Sequence, residues 1–467
     1  MKLRHGLAGF VIVASLLPGW RAFARTPPSD SSDEPQETNK DTNNETAKPP
    51  APADAEPANL AAPAVPGAPS EPAESSAPAA SEAYVPFAPP PSPLRIENPN
   101  ASVQFGVLAQ PMLEVAGGPD ADLTTKNLFL RRFRFIFGGT VFKYFEFFFD
   151  TDYPNLFKQD SAETMAGTYK NAPGLNVQDA YVTFKPAGDL IKVDAGFMLP
   201  PLSHNALESA AKLYGEDYFV NSFRRNIFSN VDPFGSAAQS PAGRDVGVQV
   251  RGLILGGHLE LRVGAFQGLR LNPVPASTGV TAEVGGFNIF RIAARVQVNV
   301  LDAEPGYFYQ GTYLGTKKVL SFGGFYDFQD QYKYFGGDMF LDLPIGRAGV
   351  LTAQADVVRW DGGTSITTLS KDTAVMAEAG FLIGPIMLSP IVRFEHLVAA
   401  QVPNPDPTMP GTVPDPNNPS EDRYGGGLAF WPYGHNTNLK LFGAHVHRNP
   451  APHDFNQINL QWQLYFY

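Results

Sequence analysis

The sequence predicts an all-β fold: a transmembrane antiparallel β-barrel of about 16 strands, with one long loop folded inward and a disordered Pro-rich N-terminal segment. Three observations predict it. From Ala101 onward apolar and polar residues alternate in short runs, and no window approaches ~18 consecutive apolar residues. The connections alternate between tight Gly/Pro turns and long segments, the asymmetry of barrels with short turns at one end and long loops at the other. The last run, from Ile458 to Phe466, puts Ile458, Leu460, Trp462, Leu464 and Phe466 on one face and Asn459, Gln461, Gln463 and Tyr465 on the other. Apolar outside and polar inside fits a water-filled lumen.

The 467 residues include 44 Gly, 44 Pro, 35 Phe, 17 Tyr and no Cys. Abundant glycine and aromatics agree with an all-β chain. The lack of Cys excludes disulfides, thiolate metal sites and Cys nucleophiles. Of the net charge of −11, the stretch from Arg25 to Asn100 holds 12 acids against 4 bases. With Lys2, Arg4 and Arg21 at the start, residues 101–467 are left at −6. That balance argues against nucleic acid as a partner, and any preference for anions has to come from local placement.

In chain order, residues 1–24 read as a secretory signal: a basic start, an apolar core from Leu7 to Leu17, and Ala22-Phe23-Ala24 as the cleavage site. Residues 25–100 are Pro, Ala, Ser and Glu, with too little apolar surface to offset chain entropy. They read as a disordered periplasmic tether, with contact to the cell wall or a partner as the alternative. Residues 101–467 form the barrel domain, with strands at about 103–115, 128–138, 141–151, 176–185, 190–198, 244–255, 257–266 and 287–299. Eight more follow at about 318–328, 332–343, 348–360, 373–383, 385–397, 423–432, 438–447 and 456–467.

Tight turns are expected at Gly138-Gly-Thr140, Pro186-Ala-Gly-Asp189, Gly256-Gly257, Pro344-Ile-Gly-Arg347 and Gly384-Pro385. Two links break the alternation of short and long: a long one at 300–317 and a short one near Gln329-Asp-Gln331. Either the register shifts there or the first folds as an extra element. The longest connection, from Leu199 to Gly243, carries Pro200-Pro201, aromatics from Tyr214 to Phe219, and Arg224-Arg225. A loop of that length is improbable unless functional, and it is expected to fold into the lumen and narrow it.

Alternation sends charges inward. With Phe133, Phe135 and Phe137 outward, Arg132 and Arg134 point in; Val246, Val248 and Val250 outward place Asp245, Gln249 and Arg251 inside. The same logic puts Glu260 and Arg262, and then Arg291, Arg295, Gln297 and Asn299, on the inner face. A charge facing lipid at midplane would cost about 2–4 kcal/mol. Guanidinium groups offer bidentate donors to phosphate-like oxygens, so lumenal arginines can attract anions. Alternatively they pair with Glu146, Asp150, Asp179, Asp194, Asp245 and Glu260 and fill the lumen. Ser203-His204 and His445-Val-His447 show no third orienting partner and read as incidental. With no GxSxG, HExxH, P-loop or EF-hand pattern, neither enzyme chemistry nor a metal or cofactor is expected.

In the order and spacing of several pieces the chain resembles the phosphate-selective porin family, porins O and P. They are Leu130-Arg-Arg-Phe-Arg134, Gly139 to Phe147, Val177-Gln-Asp-Ala-Tyr-Val182 and Gly196-Phe-Met-Leu-Pro-Pro201. Gly243-Arg-Asp-Val-Gly-Val248, Gly311-Thr-Tyr-Leu-Gly315, Val319-Leu-Ser321 and Ile391-Val-Arg-Phe-Glu395 continue it. The likeness implies a sixteen-stranded, commonly trimeric outer-membrane barrel with an inward loop and a basic lumen. It implies passive diffusion of anions such as phosphate or polyphosphate. By position it points to Arg131, Arg132, Arg134 and Arg244; the inward or loop positions Arg224, Arg225, Arg251, Arg262, Arg291 and Arg295 complete the anion-lining set. Phe197-Met198 departs from the basic residue that relatives carry after the strand-five glycine.

The expectation is therefore an exported outer-membrane porin in contact with lipid, homotrimeric, leaning towards small anions. The alternatives are a general or carbohydrate pore, with Tyr181, Tyr214 and Tyr218 as stacking faces, and a non-conducting structural barrel tied to the cell wall. A secreted soluble β-protein or enzyme is a third.

Overall fold

A computed structural model describes residues 94–117, 125–158, 174–219, 243–268, 289–363, 371–399, 401–403, 412–414, 420–449 and 454–467. The expected signal sequence, the Pro-rich stretch as far as residue 93, and Arg224 and Arg225 lie outside these residues. The strands are β1 (Leu94–Asn98), β2 (Ala101–Gly117), β3 (Thr125–Val141), β4 (Phe145–Asp152), β5 (Asn176–Phe184) and β6 (Lys192–Met198). Then come β7 (Asp245–Ile254), β8 (Leu259–Phe266), β9 (Arg291–Asn299), β10 (Val319–Gln329), β11 (Tyr332–Ile345) and β12 (Gly349–Asp361). The chain closes with β13 (Thr373–Ile383), β14 (Leu388–Val398), β15 (Gln401–Pro403), β16 (Thr412–Pro414), β17 (Ser420–Tyr433), β18 (Thr437–Asn449) and β19 (Phe455–Phe466).

Strands β2 to β14 and β17 to β19 pair with their neighbours in chain order, and β19 returns to β2, so 16 antiparallel strands close into a ring. Each overlaps one of the runs expected from alternation. β15 and β16 form a separate small hairpin in the connection after β14. β1 was not expected: it falls at the end of the Pro-rich stretch. It takes up the edge of β2 from Ala101 to Phe105, while β19 ends opposite Val107. It thus covers edge donors and acceptors left open where the last strand stops.

Period-2 alternation sorts the two faces of the wall as the sequence requires. Val246, Val248 and Val250 are about half exposed on the outside, while Asp245, Gln249 and Arg251 are buried within. On β19, Ile458, Leu460, Trp462 and Leu464 face out and Gln457, Asn459, Gln461 and Gln463 face in. Phe466 ends the outer frame, and the terminal Tyr467 packs edge-on against Phe148.

One expected turn is displaced. Gly138 and Gly139 lie inside β3, and the chain reverses at 142–144. Their lack of a side chain serves close approach instead of a turn. A Cβ on Gly138 would lie 1.9 Å from the Tyr467 hydroxyl, and one on Gly139 would lie 1.9 Å from the Ser102 carbonyl oxygen.

The two links that broke the alternation need no change of register. The short one is a two-residue turn at Asp330-Gln331, and the segment 300–318 folds inward from the end of the barrel that otherwise carries tight turns. Segment 199–219 enters from the opposite end. The lumen is accordingly not uniformly polar, because wall residues form apolar seats for both segments. Leu202, Ala206 and Phe219 pack with Phe325, Tyr334, Val358, Trp360 and Met376. Tyr214 and Leu314 pack with Val350, Leu382, Ile391 and Trp431. Ala210, Ala211, Leu213 and Tyr218 meet Leu108, Ile136 and Tyr465, while Met198 and Tyr307 meet Tyr181, Phe266 and Ala293. Each large side chain seated this way contributes about 1.5–3 kcal/mol.

Candidate constriction and pore-lining arginines

An inserted segment without strand partners has carbonyl groups that must find donors elsewhere. The wall supplies them. Lys440 donates to the carbonyls of Leu213 and Gly215 at 2.7 and 2.6 Å, Gln463 to that of Ala211 at 2.8 Å, and Gln110 to that of Ala210 at 3.3 Å. Arg393 donates to the carbonyl of Asp217 at 2.5 Å. None of these wall residues figured among the candidates; the available signal was an inward Lys, Arg or Gln on a strand, which is common to any wet lumen.

The segment reaches β3 through Asp217. Arg131 donates from Nε at 2.9 Å and Arg132 from Nη2 at 2.6 Å, each to one carboxylate oxygen. Neighbouring residues on a regular strand face opposite ways. Here the pairing of β2 with β3 slips between Gln110 and Pro111, so that Arg132 pairs with Gln110 and Leu130 with Pro111. The bulge leaves Arg131 outside the ladder and lets both guanidinium groups reach one acid. Burial alone would raise the Asp217 carboxyl, but the two arginines hold it well below the usual carboxylate range.

The other described candidates are also paired. Arg134 bonds Asp150 and Asp152 at 3.1 and 3.0 Å, and Arg244 bonds Asp179 at 3.2 Å. Arg251 bonds Asp194 at 2.7 Å, Arg262 bonds Glu260 at 2.9 Å, Arg291 bonds Asp327 at 2.7 Å and Asp245 at 3.4 Å, and Arg295 bonds Asp338 at 2.6 Å. With Lys185 on Glu146, all six acids named in the sequence as pairing partners carry a cation.

Three of these arginines also hold the inserted segments. Arg251 donates to the Pro305 carbonyl, Arg262 to those of Tyr307 and Gly306, and Arg295 to that of Leu202. Arg262 and Arg295 lie over the Tyr309 ring at 4.6 and 5.4 Å. Exposure separates the set: the Arg131 side chain is 25% exposed and Asp217 26%, whereas Arg132 is at 4%, Arg134 at 9%, and Arg262, Arg291 and Arg295 at 0%. Of the eight described arginines, Arg131 has the most exposed side chain.

Ser203 and His204 do not form a nucleophile and base. Ser203 Oγ is 3.4 Å from Asp356, and both nitrogens of His204 face glutamates. Burial alone would lower the imidazolium pKa, but Glu304 and the hydrogen bonds to Glu208 and Glu304 outweigh it and push it up to about 10. Burial pushes Glu208 up to about 7 against the pull of His204. Among the described residues, no group of three or more His, Asp or Glu is placed to hold a metal ion. At the tight-turn rim, Lys143, Glu146, Lys185, Asp189 and Lys192 border an open recess of ≈480 Å³.

No protein-family model and no curated protein matches the chain. Solved structures similar to it are porins and channels of the outer membrane. The anion-selective porin from Comamonas acidovorans is 11% identical, with 78% of this chain and 100% of that one covered and a TM-score of 0.49. The outer membrane channel DcaP of Acinetobacter baumannii is 13% identical over 79% of this chain and 98% of that one, with a TM-score of 0.45. Salmonella typhi OmpF, in complex with daunomycin, is 10% identical over 79% and 100%, with a TM-score of 0.44.

Proposed function

We propose that the chain is an outer-membrane channel for passive diffusion of small hydrophilic solutes, narrowed by segment 199–219 and leaning towards anions at Arg131 and Arg132. One observation carries this reading: a closed ring of 16 strands with an apolar outer face and a charged inner face. Closure satisfies every backbone group without water, which a spanning sheet requires, and a polar interior is needed only where water enters. The inserted segment brings Asp217 to the two β3 arginines, so the described wet edge of the constriction is a guanidinium beside a carboxylate. A solute passing there exchanges part of its hydration shell for these groups. Phosphate or polyphosphate as the solute, a homotrimeric assembly, and export through residues 1–24 rest on the family resemblance and the sequence pattern.

A planar-bilayer measurement of reversal potential across a salt gradient tests the reading. An anion-selective sign, reduced by Arg131→Gln, is the expected result; cation preference removes the anion lean and leaves a general pore.

A second reading is favoured by the enclosed arginines. Segments 199–219 and 300–318 are bonded to the wall on several sides, and Arg262, Arg291 and Arg295 have no exposed surface. A barrel held shut has this interior. Folded protein that inserts and passes no current would establish it.

A further inference from the structure

The two inserted segments come from opposite ends of the barrel, and one imidazole joins them. His204, on segment 199–219, is stacked between Tyr309 of segment 300–318 and Phe340 of β11, with ring centroids 4.6 and 4.2 Å away. Its Nδ1 lies 3.1 Å from Glu208 on its own segment, and its Nε2 lies 3.1 Å from both carboxylate oxygens of Glu304 on the other. Glu304 also accepts the Tyr313 hydroxyl at 2.7 Å, and the His204 backbone N–H donates to Asp338 at 3.2 Å. All three members of the His204, Glu208 and Glu304 group are at most 1% exposed.

A neutral imidazole carries one N–H and can donate to only one of two flanking carboxylates; an imidazolium donates to both. Two glutamates, one on each segment, therefore share one enclosed cation. Around it the backbones are joined directly: Tyr309 N–H donates to the Leu207 carbonyl and Ser209 N–H to that of Tyr309, both at 3.0 Å. The Tyr307 hydroxyl donates to the Leu199 carbonyl.

We propose that His204 is a positioning residue that clamps the two inserted segments into a single partition, so that neither leaves the passage without the other. The clamp sets how wide the passage is, and in that respect it rests on the channel reading above. Breaking it removes the cation that two buried carboxylates share, which favours separation of the segments.

Because the chain contains no Cys, Ala206→Cys supplies a unique thiol. Ala206 is 3% exposed, packed beside the clamp with Leu202 and Phe219. In full-length, detergent-folded protein, maleimide labelling of this thiol is expected to be slow with His204 in place. Labelling should be at least ~10-fold faster with His204→Ala, the loss of charge-assisted hydrogen bonds that hold a local opening closed. Single-channel conductance and the size of the largest sugar admitted should rise with it. Glu304→Gln, which keeps the shape, should move both readouts the same way by less, and it carries the test if the alanine variant fails to fold.

Barrels that are folded by heat-modifiable migration, yet show unchanged labelling and conductance in both variants, would overturn the clamp. A wild-type barrel that passes no current while the variants label faster would remove the channel reading and leave the clamp standing. A conducting wild type with unchanged labelling would do the reverse.

Discussion

Arginines on two parts of the wall reach the inserted segments and meet different surroundings. On β3, Arg131 and Arg132 converge on Asp217, and Arg131 keeps a quarter of its side chain open. On β7 to β9, Arg251, Arg262 and Arg295 are enclosed, and each donates to a main-chain carbonyl of an inserted segment as well as to an acid. What distinguishes the groups is what lies opposite them, helped on β3 by the bulge that frees Arg131. An arginine facing orphan carbonyls is a scaffold residue; the exposed one on β3 is the one the proposed channel reading sets beside a solute. The two groups should therefore fail in opposite ways when mutated.

The largest effect belongs to the enclosed group. Arg262→Met removes donors to Glu260, Tyr307 and Gly306 at once, leaving Glu260 with the Tyr309 hydroxyl. Removing one partner of a buried pair costs about 3–5 kcal/mol. The expected outcome is a clear fall in the temperature of the folded-to-unfolded mobility shift, with the ion selectivity of the surviving folded barrels unchanged. A selectivity change without loss of stability would erase the distinction between the groups.

Much of this was legible beforehand. Alternation located all 16 ring strands and sent Arg132, Arg134, Arg251, Arg262, Arg291 and Arg295 inward, because a period of 2 is a local property of the chain. The six acids named as alternative partners were likewise on inward positions, within reach along or across strands. Three things were not legible. Gly138-Gly139 looked like a turn because close approach by Tyr467 and Ser102, far away in sequence, leaves the same glycine signature. Arg131 belongs outside the lumen by alternation and is brought to Asp217 by a bulge that only the pairing reveals. Ser203-His204 showed no third orienting partner, and Glu304, 100 residues distant, meets His204 only when segment 300–318 folds inward.

A smaller effect, in pH, separates scaffold from path along another axis. The His204 pKa is raised from 6.5 to about 10, so its contribution is fully present below 6.5 and is lost as pH rises through about 10. Glu208 is raised from 4.5 to about 7, so its contribution is lost in a lower window, between those values. The charged groups around the ring are Glu208 and Glu304 on the inserted segments, Asp338 and Asp356 on β11 and β12, and Arg295 on β9. Protection of a thiol at Ala206→Cys should therefore fall in a broad step between pH 6.5 and about 10, and His204→Gln should flatten that step. A step of the same size in the variant would assign it to other groups.

Next in size is Asp217→Asn. It removes the acid shared by Arg131 and Arg132, leaving Arg132 its bond to Gln110 at 3.0 Å. Loss of hydrogen bonds to a charged group costs about 1.5–3 kcal/mol. With two arginines no longer neutralised at the rim, the reversal potential should move further towards the anion-selective value.

Arg131→Gln should perturb the fold least. Arg132 still holds Asp217, and a pair with both side chains a quarter exposed is worth at most about 1 kcal/mol. Its effect on passage is out of proportion to that. A unit charge acting on an ion about 4 Å away in water is worth about 1 kcal/mol, which is roughly a fivefold change in local ion concentration. The reversal potential should therefore shift towards cations while the unfolding temperature scarcely moves, the mirror image of Arg262→Met. Salt should weaken the shift, because the Arg131 side chain is a quarter exposed and counter-ions can screen it. A shift that persists undiminished in molar salt would place Arg131 in a dry contact with the solute and make it part of a binding site, not a source of field.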